Sequence, residues 1–196
     1  MEAVIEAIGK LFESIGTGKP ARIEKLPQSG SDRIYFRIYS GEETCIATYN
    51  LNRKETQTFI YFSRHFLNAG LPVPQILAVN EEDTIYIQQD LGTESLLNKL
   101  EQHGHGEYAY SLFQKSLAEL AHVQILGDKG LNYDWCLTAK EFGKQAIMSD
   151  LLYFKYYFLD ALRRPYDKQK LMDDFEALSN YQIGRASCRE RVCNGV

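Results

Sequence analysis

The chain has 196 residues, 44% hydrophobic and 24% charged, with a formal net charge of −4 and an isoelectric point near 5.6. That is enough material for one domain or two small ones with a buried core. The acidic balance argues against a dedicated nucleic-acid binder. No window approaches the roughly 18 consecutive apolar residues of a membrane span, and the acidic start MEAVIEAIGKLFESIG is no secretory signal. Cys45, Cys136, Cys188 and Cys193 are widely and irregularly spaced, with no C-x-x-C. They read as reduced thiols of a cytoplasmic protein.

In chain order, Val4, Ile8, Leu11, Phe12 and Ile15 recur at helical spacing, and Gly16, Gly18 and Pro20 end that helix. A weakly alternating strand follows over Arg22–Leu26. Two stronger ones lie at Ile34–Tyr39 and Thr44–Tyr49, joined by the turn Ser40–Glu43. Helical period returns over Glu55–Asn68, with Phe59, Phe62, Phe66 and Leu67 on a stripe and Gly70 beyond its end. Pro72 and Pro74 precede strands at Gln75–Val79 and Thr84–Gln89, separated by an acidic turn. From Gly92 onward the chain is helical. Glu94–Gln102 is short, and Glu107–Leu126 is long, with Tyr110, Phe113, Leu117, Leu120 and Val123 on one face. After a loop with Trp135, Ser149 is placed to cap a helix over Asp150–Arg164, ended by Pro165. A last helix spans Asp167–Leu178.

Helix, three strands, helix, two strands and then helices alone make an α+β arrangement of two lobes. The expected division is 1–90 for the sheet-bearing lobe and 91–182 for the helical one. The remaining stretch, 183–196, has no hydrophobic period. Ile183–Val192 can be encoded by ATC GGA AGA GCG TCG TGT AGG GAA AGA GTG, which resembles a common short-read sequencing adapter. It reads as non-native, and the natural chain is expected to continue past Gln182. A genuine basic tail is the alternative. A fragment of this kind is expected to expose apolar surface on its last helices and to be poorly soluble.

Several stretches could carry chemistry. Leu26–Ser40, LPQSGSDRIYFRIYS, brings glycine, hydroxyls and two arginines into one turn. Gly30 permits close backbone approach. Ser29 and Ser31 can donate to phosphate oxygens, and Arg33 and Arg37 add permanently charged donors. The competing reading is a polar hairpin. His103 and His105 form H-x-H without a third ligand, so they read as solvated loop residues. His122 reads as a core or boundary residue. Tyr153–Phe158 reads as core.

GSDRIYFRI (Gly30–Ile38), GLPVPQI (Gly70–Ile76) and YIQQDLG (Tyr86–Gly92), in that order and spacing, resemble bacterial aminoglycoside-phosphotransferase-like small-molecule kinases. The likeness is nearest to the anomeric amino-sugar kinase branch, and Leu151–Leu162 looks like that group's helical insert. The resemblance covers most of Met1–Gln182. It implies a protein-kinase-like N-lobe with a small antiparallel sheet and one helix, followed by the first part of a helical C-lobe. The hairpin would then lie over nucleotide phosphates, and Gln89, Asp90 and Leu91 would form the connector that reads the base through its backbone. Two positions keep alternatives: the connector could be an ordinary strand end, and Glu55 either orients the phosphate-binding cation or is a solvated helix-start glutamate. Asp150 is a candidate substrate contact.

The family pattern is incomplete in this chain. Its third-strand lysine is missing from CIATYN, where Thr48 and Asn50 cannot replace a cation, so Arg33 or Arg37 is the candidate substitute. No H-x-D or R-D loop is present, and Leu171–Phe175 has a helical setting that makes its aspartates a solvated face. The resemblance implies ATP or GTP with Mg²⁺ in the full-length parent and a small hydroxylated acceptor, an amino sugar. It implies no nucleic-acid or membrane partner. The chain is expected to lack catalysis on its own. The other reading is a non-catalytic nucleotide-sensing or interaction module.

Overall fold

In IYFRIYS and ETCIATY, β-branched and aromatic residues alternate in the way a half-buried pleated strand requires. They form β2 (Ile34–Ser40) and β3 (Glu43–Tyr49), and Gly41 takes a φ of 62° in the turn between them. The computed structural model describes residues 1–193 except Thr17, Gln28, Ser29, Ser31 and 138–142, with backbone alone over 182–193. β1 (Arg22–Lys25), β4 (Ile76–Val79) and β5 (Ile85–Gln89) complete a five-stranded antiparallel sheet in the order β1-β2-β3-β5-β4.

The register aligns Phe36 with Ala47 and Ala47 with Ile87, so one face of the sheet presents an apolar row. Helix α1 (Glu2–Ser14) covers that face, and Ile8 and Phe12 join Phe36, Ile38, Ala47, Ile85 and Ile87 in one buried cluster. Burial of each large side chain there contributes about 1.5–3 kcal/mol. Because side chains alternate, Tyr35, Arg37, Thr48, Tyr86 and Gln88 belong to the opposite face.

Helix α2 (Arg53–Asn68) starts at Asn52, whose side chain accepts from the Glu55 N–H. Its buried residues are Thr56, Thr58, Ile60 and Ser63 rather than the expected aromatic stripe, and Leu67 is 38% exposed. The phenylalanine rings are half-buried along its flank, Phe59 stacking on Tyr86 at 5.0 Å and Phe62 on Phe66 at 6.0 Å. Small hydroxyl residues fill the inner face, which leaves the rings at its edge. Between β4 and β5, Asn80 Oδ1 accepts from the N–H groups of Thr84 and Ile85, fixing the acidic turn.

Helix α3 (Leu96–His103) opens with a capping box between Ser95 and Asn98. Helix α4 (Glu107–Leu126) has the apolar periodicity seen in the sequence, but Tyr110, Phe113, Leu117 and Leu120 are exposed, and only Ala109 is buried. His122 is exposed beside Glu119, not at a core boundary. A single-turn helix follows at Tyr133–Trp135.

The chain divides into two compact units, Met1–Leu137 and Thr138–Val196. The sheet's unit therefore keeps α3 and α4, whereas sequence order suggests a boundary near residue 90. In the second unit, α5 (Lys144–Phe154) starts after Gly143, so Ser149 is inside the helix and does not cap it. A π-helical turn, Lys155–Leu159, and a 3₁₀ turn, Asp160–Leu162, extend it to Arg163 in the left-handed region. Tyr153, Phe154, Tyr156, Tyr157 and Phe158 are exposed, contrary to the core expected from their spacing. Two pairs of these rings cover each other, Tyr153 with Tyr157 and Phe154 with Phe158. Helix α6 (Lys168–Cys193) runs well beyond the predicted Leu178. Among its described side chains Phe175 and Ser179 are buried, and Asp173 and Asp174 are exposed. Among the described residues no helix is long and apolar enough to cross a membrane.

Candidate functional site

Asn52 caps α2 through its side chain and so fixes the first helical turn, which holds Glu55. In a reciprocal capping box the glutamate would turn back to the cap. Here it turns outward. Glu55 Oε1 accepts from the Arg33 guanidinium, including Nε at 3.0 Å, and Oε2 accepts from Asn50 Nδ2 at 2.9 Å. Asn50 is itself pinned: it is 4% exposed, its Oδ1 accepts from the Asn52 N–H, and its own N–H donates to Thr84 O. The Arg33 guanidinium also lies 5.9 Å from the Phe59 ring centroid. The guanidinium of Arg33 and the amide of Asn50 hold the Glu55 carboxyl below the usual range, against the opposing effect of burial. Arg33 and Glu55 each keep about a quarter of their side-chain surface exposed, 26% in both cases. The cation is thus anchored but still open to a ligand.

A second pair is buried more deeply. Arg37 on β2 reaches past β3 to Asp90, with Nε donating to Oδ2 at 2.7 Å and a terminal nitrogen donating to Gly92 O at 3.3 Å. Asp90 Oδ1 accepts from the Gly92 N–H at 2.8 Å. Side-chain exposure is 15% for Arg37 and 4% for Asp90. Burial pushes the Asp90 carboxyl up, but bonds from Gly92 N–H, Thr44 and Arg37 outweigh it and leave the carboxyl below its ordinary value. Gly92 has a φ of 95°, a left-handed conformation that favours glycine. The hairpin strand and the β5–α3 connector are therefore joined directly.

Of the other sequence candidates, Ser29 and Ser31 lie outside the described residues. Gly30 is exposed, and a side chain built there meets no atom within 4 Å. Gln89 pairs with Cys45, its N–H donating to Gln75 O, and Leu91 is 69% exposed. Thr48 fills the third-strand position and is fully buried opposite Tyr86. Burial pushes the Tyr86 phenol up to about 12. Gln88 Oε1 is buried without a hydrogen-bond partner among the described residues. Asp150 is exposed in the interior of α5, in the other unit. Asn50, unable to replace a cation, acts on the carboxylate instead. Its signal is the N-x-N-x-x-E spacing of Asn50, Asn52 and Glu55, in which one amide steers the carboxylate that the other caps.

Among the described residues no group of three or more His, Cys, Asp and Glu side chains could hold a metal ion. Cys45 and Cys136 are free thiols. No protein-family model matches the chain, and no curated protein matches it.

Proposed function

We propose that the sheet-bearing unit is the nucleotide-binding part of an ATP- or GTP-dependent phosphotransferase of the protein-kinase-like fold, whose acceptor is a small hydroxylated molecule of the amino-sugar class. The observation that carries the reading is the Arg33–Glu55–Asn50 arrangement. Phosphoryl-transfer sites of this fold need a cation fixed by a carboxylate from the single helix of the sheet lobe. Thr48 leaves the third strand without that cation, and Arg33, entering β2, meets the helix carboxylate instead. Arginine suits the role, since it stays charged and donates in a fork to phosphate oxygens.

The link from Arg37 to Asp90 and Gly92 supports a second part of the reading, a connector of fixed shape beside the hairpin strand. The connector backbone at Asp90–Leu91 offers N–H and C=O groups to a base edge, while the Gln89 N–H is already given to Gln75 O. The buried Gln88 Oε1, unpartnered among the described residues, is an acceptor that an exocyclic amine would satisfy. The described residues assign no ligand to Mg²⁺ and no base to the acceptor hydroxyl. On this reading the chain binds nucleotide through its sheet-bearing unit.

A thermal-shift titration with Mg-ATP tests the proposal. Protection that Arg33→Ala reduces by about 10–100-fold in apparent affinity fits the loss of charge-assisted bonds of about 1.5–3 kcal/mol. No protection of the parent chain by ATP or GTP removes the nucleotide reading. The second reading, a non-catalytic sensor of the same fold, is favoured by the missing third-strand cation. A gene that continues past codon 182 without an aspartate-bearing loop would select it.

A further inference from the structure

We infer that the segment from Gly127 to Trp135 is a clasp that positions α2, and that Thr58, Tyr61 and Trp135 are positioning residues for the Arg33–Glu55 pair. Its consequence for ligand affinity rests on the nucleotide reading above; its structural content does not.

The inner face of α2 gives the helix little apolar anchorage. Its buried residues are Thr56, Thr58, Ile60 and Ser63, so one large apolar side chain is buried along the helix. By contrast, α1 sinks both Ile8 and Phe12 into the sheet. Buried hydroxyls contribute little net stabilisation and do not lock a helix against rotation or sliding. Contacts along the flank must supply what the inner face lacks.

The Gly127–Trp135 segment supplies them at helical spacing. Thr58 Oγ1 donates to Trp135 O at 2.9 Å, and the Asn132 N–H donates to the Tyr61 hydroxyl at 2.8 Å. The Trp135 and Tyr61 rings stack 5.2 Å apart at 16°. One turn further on, His65 Nε2 is 2.8 Å from Gly127 O. A Cβ at Gly127 would collide first with Val123 O in the preceding turn and would then come 2.9 Å from Phe66 Cε1 on α2. Residues 58, 61 and 65 follow one side of the helix over two turns. The segment is braced internally by Asn132 Oδ1 on the Asp134 N–H and by the Tyr133 hydroxyl on Asp128. Glu55 is three residues before Thr58, so the first clasp bond is set one turn from the carboxylate that holds Arg33. Release of the clasp frees α2 to rotate and withdraws Glu55. The Arg37–Asp90 pair shares no residue with this device and should not respond.

The ¹⁵N-labelled full chain tests the inference through its arginine Nε–H signals. In the parent chain the Arg33 signal exchanges slowly, and Glu55→Gln, which removes its partner, identifies it. Trp135→Ala should speed Arg33 Nε–H exchange at least 10-fold and leave the Arg37 signal unchanged, while Trp135→Phe, which keeps a ring on Tyr61, should restore most of the protection. Thr58→Val deletes one hydroxyl and keeps the shape. It should speed exchange about 3-fold, and it decides the matter if Trp135→Ala does not fold. An unchanged Arg33 signal in a folded variant, or equal acceleration at Arg33 and Arg37, overturns the inference. With ATP added, Trp135→Ala should weaken binding about 5-fold in the parent background and not further in Glu55→Gln. If ATP does not bind the parent chain, the nucleotide reading fails and the Arg33 signal alone judges the clasp.

Discussion

Arg37→Ala should be among the most damaging single changes outside the apolar core. It removes the cation facing an Asp90 carboxylate that is 4% exposed and leaves that charge buried. Breaking a buried pair this way costs about 3–5 kcal/mol. Asp90 keeps its bond from the Gly92 N–H, which places the cost near about 3 kcal/mol. For a unit the size of Met1–Leu137 that is a fall in Tm of about 10 °C. Thermal melts followed by circular dichroism for Arg37→Ala, Asp90→Ala and the double variant give the coupling, expected at about 2 kcal/mol. The pH dependence has a definite sign. The folded-state pKa of Asp90 is depressed, so its stabilisation is complete above the unfolded carboxylate range and is lost as pH falls through the folded value. The gap between parent and Asp90→Asn should therefore close progressively below about pH 4. A Tm change under about 2 °C, or additive single effects, would show that the pair is solvated and that the connector is not pinned to β2.

Phe36→Ala deletes a fully buried ring at the centre of the sheet–α1 core, and denaturant titration should show a loss of about 3–5 kcal/mol. Leu117, 65% exposed on the apolar face of α4, should drive self-association; Leu117→Lys should lower the light-scattering mass at equal concentration without lowering the Tm. Burial, helped by the nearby negative charges of Glu43 and Asp90, pushes the Cys45 thiol up. Alkylation of Cys45 near pH 8, followed by mass spectrometry, should accordingly be slow in the native chain and speed up on unfolding.

Much of the fold was legible because local chemistry and burial agreed. IYFRIYS and ETCIATY alternate, Gly41 turns between them, and the helix–strand order follows directly. Periodicity failed where it had to predict which face is covered. The stripe on α4 and the ring run at Tyr153–Phe158 have core spacing, yet both are exposed, since pattern alone does not supply a partner surface. Gly143, rather than Ser149, is the cap residue of α5, with extended backbone and no side-chain cap bond, so no capping side chain marks that helix start in the sequence. At the candidate site the charged residues were visible individually, but their pairing was not. Arg33 meets Glu55 across 22 positions and Arg37 meets Asp90 across 53, so only the strand register could decide which arginine serves which carboxylate.

The central claim is that Arg33, fixed by Glu55, faces a phosphate of a bound nucleotide whose base meets the Gln89–Leu91 connector. Amide and arginine Nε–H shifts of the ¹⁵N-labelled chain, followed during an ATP titration, test it most directly. The account predicts saturable changes at Arg33 Nε–H and at the Gln89–Leu91 amides with a single dissociation constant, both abolished in Arg33→Ala. Saturable changes confined to other segments, or none at millimolar ATP, would contradict it.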